Sequence, residues 1–185
     1  MGKIAERIFM ITLIGTLLGF GVKNINAATK STQYKMVWSD EFNGTKLNLK
    51  NWTYDIGNGG ANFGWGNNEL EYYTDREDNV KVENGSLVIT ARADNYKGPG
   101  MKKATKYTSG RIKTSNLQSF KYGKIEARMK VPAVTGMWPA FWMLGYNDKG
   151  WPYCGEIDIL ETWNSYQFAQ GTIHWENEKD RPGRD

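Results

Sequence analysis

The chain has 185 residues, with 24 Lys and Arg against 20 Asp and Glu, a formal charge of +4, and only one cysteine and one histidine. A single cysteine excludes an internal disulfide, and a lone histidine excludes a histidine-built zinc site or a catalytic histidine dyad. No Lys/Arg stripe accompanies the mild positive charge, so nucleic acid is not an expected partner.

Lys3 and Arg7 precede an apolar run from Ile8 to Val22, followed by Asn24-Ile25-Asn26-Ala27-Ala28. This order predicts a secretory signal peptide over residues 1–27, cleaved after Ala27. The run is shorter than the roughly 20 residues needed to cross a bilayer, so a stable membrane anchor is not expected. Cleavage removes Lys3, Arg7, Lys23 and Glu6, three positive charges and one negative, which takes +4 to +2. The remaining 185 − 27 = 158 residues suit one domain. The expected product is a secreted monomer, with residues 28–35 a flexible lead-in and residues 36–185 the domain.

Trp65-Gly66-Asn67-Asn68-Glu69-Leu70-Glu71-Tyr72-Tyr73 mixes glycine, amides and aromatics, the composition of a loop that hydrogen-bonds a polar ligand. Asn84-Gly85 is a turn dipeptide, and Leu87 to Arg92 reads as the strand after it. Tyr107 to Thr114 reads as another strand, with Arg111 free either to donate to a hydroxyl or to pair with an acid. Lys124 to Val131 alternates polar and apolar residues up to Pro132, which predicts a strand with one wet face. Gly136 to Leu144 follows, with Trp138 and Trp142 sharing a face opposite Phe141 and Met143. Those tryptophans read either as core residues or as a flat platform for a pyranose ring. Cys154 reads as a small buried filler.

Gly155-Glu156-Ile157-Asp158-Ile159-Leu160-Glu161 places three acids on an apolar strand. Glu156 and Asp158 share a face, and Ile157 and Ile159 imply a buried opposite face. Strict alternation sends Glu161 to the wrong side. A β-bulge at Leu160 flips the register and returns it. Three neighbouring carboxylates raise at least one pKa, which suits a pair in which one acid is ionised and the other protonated. Retaining glycosidases need such a pair about 5–5.5 Å apart. Residues 171–175 start one more strand, in which His174 is expected to hydrogen-bond near the acids. Sustained helical periodicity is absent, and many short strands with Gly-rich turns predict an all-β sandwich or jelly roll.

These motifs resemble glycoside hydrolase family 16, in particular its bacterial laminarinases. The resemblance rests on Trp38-Ser39-Asp40-Glu41-Phe42-Asn43-Gly44, on Asn67 to Thr74, on Asn84 to Leu87 and on Ser109-Gly110-Arg111. Tyr122 to Arg128, Gly136 to Trp142, the acidic strand and Gly171 to Trp175 extend it over most of the chain. It implies a jelly roll with a concave substrate cleft. It also implies that Glu156 is the nucleophile, Glu161 the general acid/base and Asp158 the residue that tunes them. Asn67, Arg111, Trp138, Trp142 and His174 are implied to line the sugar subsites.

The spacing Glu-x-Asp-x-x-Glu resembles laminarinases, carrageenases and agarases more than the mixed-linkage lichenases. The expected activity is therefore endo-hydrolysis of β-1,3-glucan with retention, and another β-glycan or a non-catalytic sugar-binding fragment are the alternatives. Binding relatives usually lack one or both glutamates, and both are present here. No cofactor is needed for the chemistry. A structural calcium is implied on the convex face, with Glu41 and Gly85 at matching positions. The resemblance also implies further C-terminal strands that this sequence lacks, so exposed edges and core residues are expected.

Overall fold

The computed structural model describes residues 33–164 and 168–176. The signal peptide expected over residues 1–27, and most of the lead-in, lie outside the described residues. No helix among the described residues is long and apolar enough to cross a membrane.

Nine short strands form four small sheets among the described residues. β1 (Thr53–Tyr54) pairs antiparallel with β6 (Ile112–Lys113), and β2 (Glu71–Tyr73) pairs parallel with β5 (Tyr107–Ser109). β3 (Val80–Glu83) and β4 (Ser86–Ile89) form a hairpin, and β7 (Ala140–Leu144), β8 (Glu156–Glu161) and β9 (Gln170–His174) form an antiparallel sheet with β8 central. One 3₁₀ turn, Phe63–Gly66, completes the regular structure.

The β3–β4 hairpin follows directly from its sequence. Glu83 pairs with Ser86, which leaves Asn84 and Gly85 as a two-residue turn, at φ 50° and 69°. Positive φ at both central residues matches the right-handed twist of the strands, and Asn-Gly tolerates it. The expected strand over Tyr107–Thr114 divides at Gly110 and Arg111. A Cβ on Gly110 would collide with Val80 Cγ2, so the chain passes the hairpin there only as glycine and then changes partner from β2 to β1.

Three expectations are overturned. Lys124 to Val131 forms no strand, although its alternation is the cleanest in the chain. No neighbouring strand among the described residues supplies the ladder bonds that hold a strand in place. Ile125 and Met129, its would-be buried face, are 40% and 42% exposed. The apolar side of the acidic sheet is likewise open, since Ile157 is 45% and Ile173 61% exposed, and no described element packs over them. Cys154 stands in the turn before β8, half-buried, where the reading as a filler had placed it in full burial.

Leu47, Val80 and Val82 are the buried hydrophobic residues among those described. Polar groups occupy much of the interior instead. Asn79, fully buried, donates to Thr90 O and Thr108 Oγ1 at 3.0 Å each, and its Oδ1 accepts from Thr74 Oγ1 and Arg76 Nη2. Arg76 continues to Asp94 at 2.6 Å and lies 4.1 Å over the Tyr96 ring. Its guanidinium, hydrogen-bonded to the carboxylate, lowers the Asp94 pKa against the opposing effect of burial.

Buried donors and acceptors left without partners cost about 1–3 kcal/mol each. Asn79→Ala orphans Thr90 O and removes the acceptor of the Thr74 hydroxyl, while Thr108 Oγ1 keeps Arg76 and Asp94, so chemical denaturation is expected to show a loss of about 2–4 kcal/mol. A loss below about 1 kcal/mol, the low end of that penalty, would mean that the hub is dispensable.

Candidate active site

The three acids reach one face because β8 carries one residue more than either neighbour. Against β7, Glu156, Asp158 and Glu161 face Leu144, Trp142 and Ala140; against β9 they face His174, Thr172 and Gln170. Each partner set runs in steps of two along an unbulged strand, so each set lies on one face. The acids opposite them therefore share that face. The pairing jumps from Trp142–Asp158 to Phe141–Leu160 on one side, and from Asp158–Thr172 to Glu161–Gln170 on the other, which locates the bulge at Ile159 and Leu160.

Each carboxylate meets a ring nitrogen. Trp151 Nε1 donates to Glu156 Oε2 at 2.6 Å, and Trp138 Nε1 donates to Glu161 Oε1 at 2.9 Å. His174 Nε2 lies 3.1 Å from Asp158 Oδ2. Asp158 is buried at 5% exposure. The Glu156 pKa is raised, first by burial and then by the charges of Asp158 and Glu161, while the Trp151 hydrogen bond and His174 act in the opposite direction. Indole and imidazole suit this row because they supply directed N–H groups at the end of a large apolar ring.

Arg111 joins this sheet to the rest of the domain. Its guanidinium lies 4.8 Å over the Trp142 ring and 4.5 Å over Trp65, with Tyr73 at 5.9 Å. Nε pairs with Asp55 at 3.0 Å, and Lys113 pairs with the same carboxylate. Of the two readings of Arg111 the ion pair is the one observed, and the paired guanidinium stacks on Trp142, the cross-strand partner of Asp158. Trp142 is half-buried and Trp138 is 44% exposed, stacked on Trp163 at 6.1 Å.

Asn67 sits farther out, on the loop after the 3₁₀ turn, where it donates to Glu69 Oε1 at 3.1 Å. Its neighbour Trp65 holds φ 54°, an unusual backbone for a bulky residue that costs of order 1–3 kcal/mol and concentrates at ligand sites. Tyr73 closes the loop by donating to Glu69, and burial with this acidic partner raises its pKa.

The expected calcium positions lie near one another. Glu41 is exposed, and a Cβ on Gly85 would stand 3.8 Å from Asn43 Oδ1, which brings the two segments side by side. Oxygen donors suit calcium, which takes six to eight of them. Among the described residues no group of three His, Cys, Asp or Glu is placed to bind a metal, so backbone and amide oxygens would have to complete such a set.

Sequence reasoning gave no role to Asp55, noted Trp151 only as a tryptophan near the acids and placed Trp65 only within a ligand-binding loop. Trp151 carried a signal, a tryptophan five residues before Glu156, but its turn geometry was not legible. Trp65 and Asp55 reach the site only through Arg111.

A bulged sheet face of three acids, flanked by tryptophans on an open all-β scaffold, defines a jelly-roll domain of glycoside-hydrolase type. The family model described as "XgeA-like, catalytic GH16 domain" matches residues 71–182, and the chain belongs to glycoside hydrolase family 16. It is 38% identical to the β-glucanase of Rhodothermus marinus over 169 residues, covering 88% of this chain and 56% of that protein. It is 45% identical to the clotting factor G alpha subunit of Tachypleus tridentatus, covering 90% of this chain and 23% of that protein. Its structure is similar to the laminarinase of Flavobacterium sp. UMI-01, with TM-score 0.68 and 48% identity, covering 76% of this chain and 57% of that one. The chain spans little more than half the length of the two glucanases.

Arg111→Lys keeps a cation beside Asp55 but removes the planar group that stacks on two tryptophans. The variant is expected to lose about 1 kcal/mol and to change the near-ultraviolet circular dichroism of the tryptophans. An unchanged spectrum would separate Arg111 from the Trp142 platform.

Proposed function

We propose that the protein is a secreted, endo-acting β-1,3-glucanase that hydrolyses laminarin-type glucan with retention of configuration. The observation that carries this reading is the bulge, which brings Glu156, Asp158 and Glu161 to one sheet face. Support comes from the family assignment and from the names of similar proteins, a β-glucanase and a laminarinase.

In this reading Glu156 attacks the anomeric carbon while Glu161 protonates the departing glycosidic oxygen. Water then hydrolyses the glycosyl ester, with Glu161 taking its proton. A nucleophile must be ionised, yet burial and two acidic neighbours raise the Glu156 pKa. The Trp151 N–H and His174 act against that rise from two different elements and so favour the ionised carboxylate. Asp158, fixed by His174, adds negative charge between the two glutamates and favours a proton on one of them.

Trp142, Trp138 and Arg111 form the sugar platform, with Asn67 at its rim. No cofactor takes part in the chemistry. Calcium, if the protein binds it, has Glu41 and Gly85 as its first donors and acts on stability alone.

Incubation of the purified protein with laminarin, mixed-linkage β-glucan, agarose and carrageenan is expected to give new reducing ends from laminarin first. Glu156→Gln is expected to lower turnover by at least ~10⁴-fold while laminari-oligosaccharide binding by calorimetry persists. Residual hydrolysis near the parent rate would remove Glu156 from the nucleophile's role.

A further inference from the structure

Trp151 lies outside the set of residues read as sugar-binding, yet it makes the shortest polar contact of the acidic row. Its place is set by backbone. The turn before β8 is closed by Cys154 N to Gly150 O at 3.0 Å, Gly155 N to Pro152 O at 2.9 Å and Gly145 N to Gly155 O at 2.9 Å. The ring stands 6.0 Å from the His174 ring and walls a cavity of about 260 Å³ with Pro152, Ile173, His174 and Trp175. One edge of the indole thus faces a cavity, and its N–H meets Glu156 Oε2 at 2.6 Å.

We propose that Trp151 is a positioning residue whose indole N–H holds Oε2 of Glu156, leaving Oε1 as the oxygen that bonds to the sugar. This rests on the reading of Glu156 as the nucleophile. An indole only donates, so Oε2 must remain an acceptor in every state of the cycle. In the first step an electron pair on Oε1 forms the bond to the anomeric carbon. The glycosidic bond breaks, and its oxygen takes the proton of Glu161. In the second step water gives a proton to Glu161 and its oxygen bonds to the anomeric carbon. The ester bond to Oε1 breaks, and its electron pair returns to Glu156.

Throughout both steps the Trp151 N–H stays on Oε2, first a carboxylate oxygen, then the ester carbonyl, then a carboxylate oxygen again. A hydrogen bond to an ionised acceptor is the stronger one, so the donor favours departure of the carboxylate in the second step. The titratable groups that face Glu156 are Asp158 and Glu161 on its own strand and His174 on β9. Its β7 neighbour, Leu144, carries no charge.

The alternative role for an exposed tryptophan beside a cavity is a stacking wall, which would act on KM alone. Trp151→Phe, and replacement of Trp151 by benzothienylalanine, which keeps the ring's shape and removes only the N–H, separate the two. With both variants checked for a cooperative thermal transition, the acid limb of kcat/KM on laminarin is expected to move up by about one pH unit. The kcat at the optimum is expected to fall about 10-fold. An unmoved limb with only KM changed would overturn the proposal.

A second measurement reads the same bond without turnover. Carbon NMR titration of the Glu156 carboxyl, identified by its absence in Glu156→Gln, is expected to show the same upward shift in either variant. If the parent protein cleaves no glucan, the proposed activity fails while this titration still decides for or against the Trp151 bond; an unshifted titration counts against it.

Discussion

Everything at the acidic face depends on one extra residue in β8. Flanking strands β7 and β9 run without interruption through Ala140–Leu144 and Gln170–His174, and they set a rigid two-residue period. Glu-x-Asp obeys that period and the next acid does not. The bulge at Ile159 and Leu160 absorbs the mismatch, so Glu161 faces Ala140 and Gln170 on the same side as Asp158. Without it, Glu161 would point to the face of Ile157, and the row would hold two acids.

Crowding three carboxylates carries an electrostatic cost that the surrounding elements offset. The donors come from three separate segments: Trp151 from the turn before β8, Trp138 from the approach to β7, and His174 from β9. Each acid therefore depends on a different segment of the chain, while the charges of Asp158 and Glu161 still act on Glu156 across the shared face. Arg111 extends this logic outward, to the layer that supports the tryptophans. Buried Asp55 anchors it, and its flat guanidinium passes that order to Trp142, the cross-strand partner of Asp158.

The features legible in the sequence were those decided by local rules. Asn84-Gly85 admits few turns other than the one observed, and the acid spacing in β8 demanded a bulge because only one solution aligns all three. Lys124 to Val131 obeys a local rule equally well and still forms no strand, since alternation describes what a strand would do with a partner and cannot supply the partner. Ile157 misled for the same reason: an apolar residue on a strand implies a covering layer only where another element packs on it. The Trp151–Glu156 bond, the Arg111 stack and the break at Gly110 rest on contacts between distant segments or on turn geometry, and no pattern along the chain records them.

The claim that the bulge builds a nucleophile and an acid from Glu156 and Glu161 predicts how the sugar leaves the protein. Proton NMR of laminarin hydrolysis, followed from the first minutes before mutarotation, reads the anomeric configuration of the new reducing ends directly. Two successive displacements at the anomeric carbon give β-anomers first, and that is the expected result. Initial appearance of the α-anomer would mean a single displacement by water, which has no place for Glu156 as nucleophile.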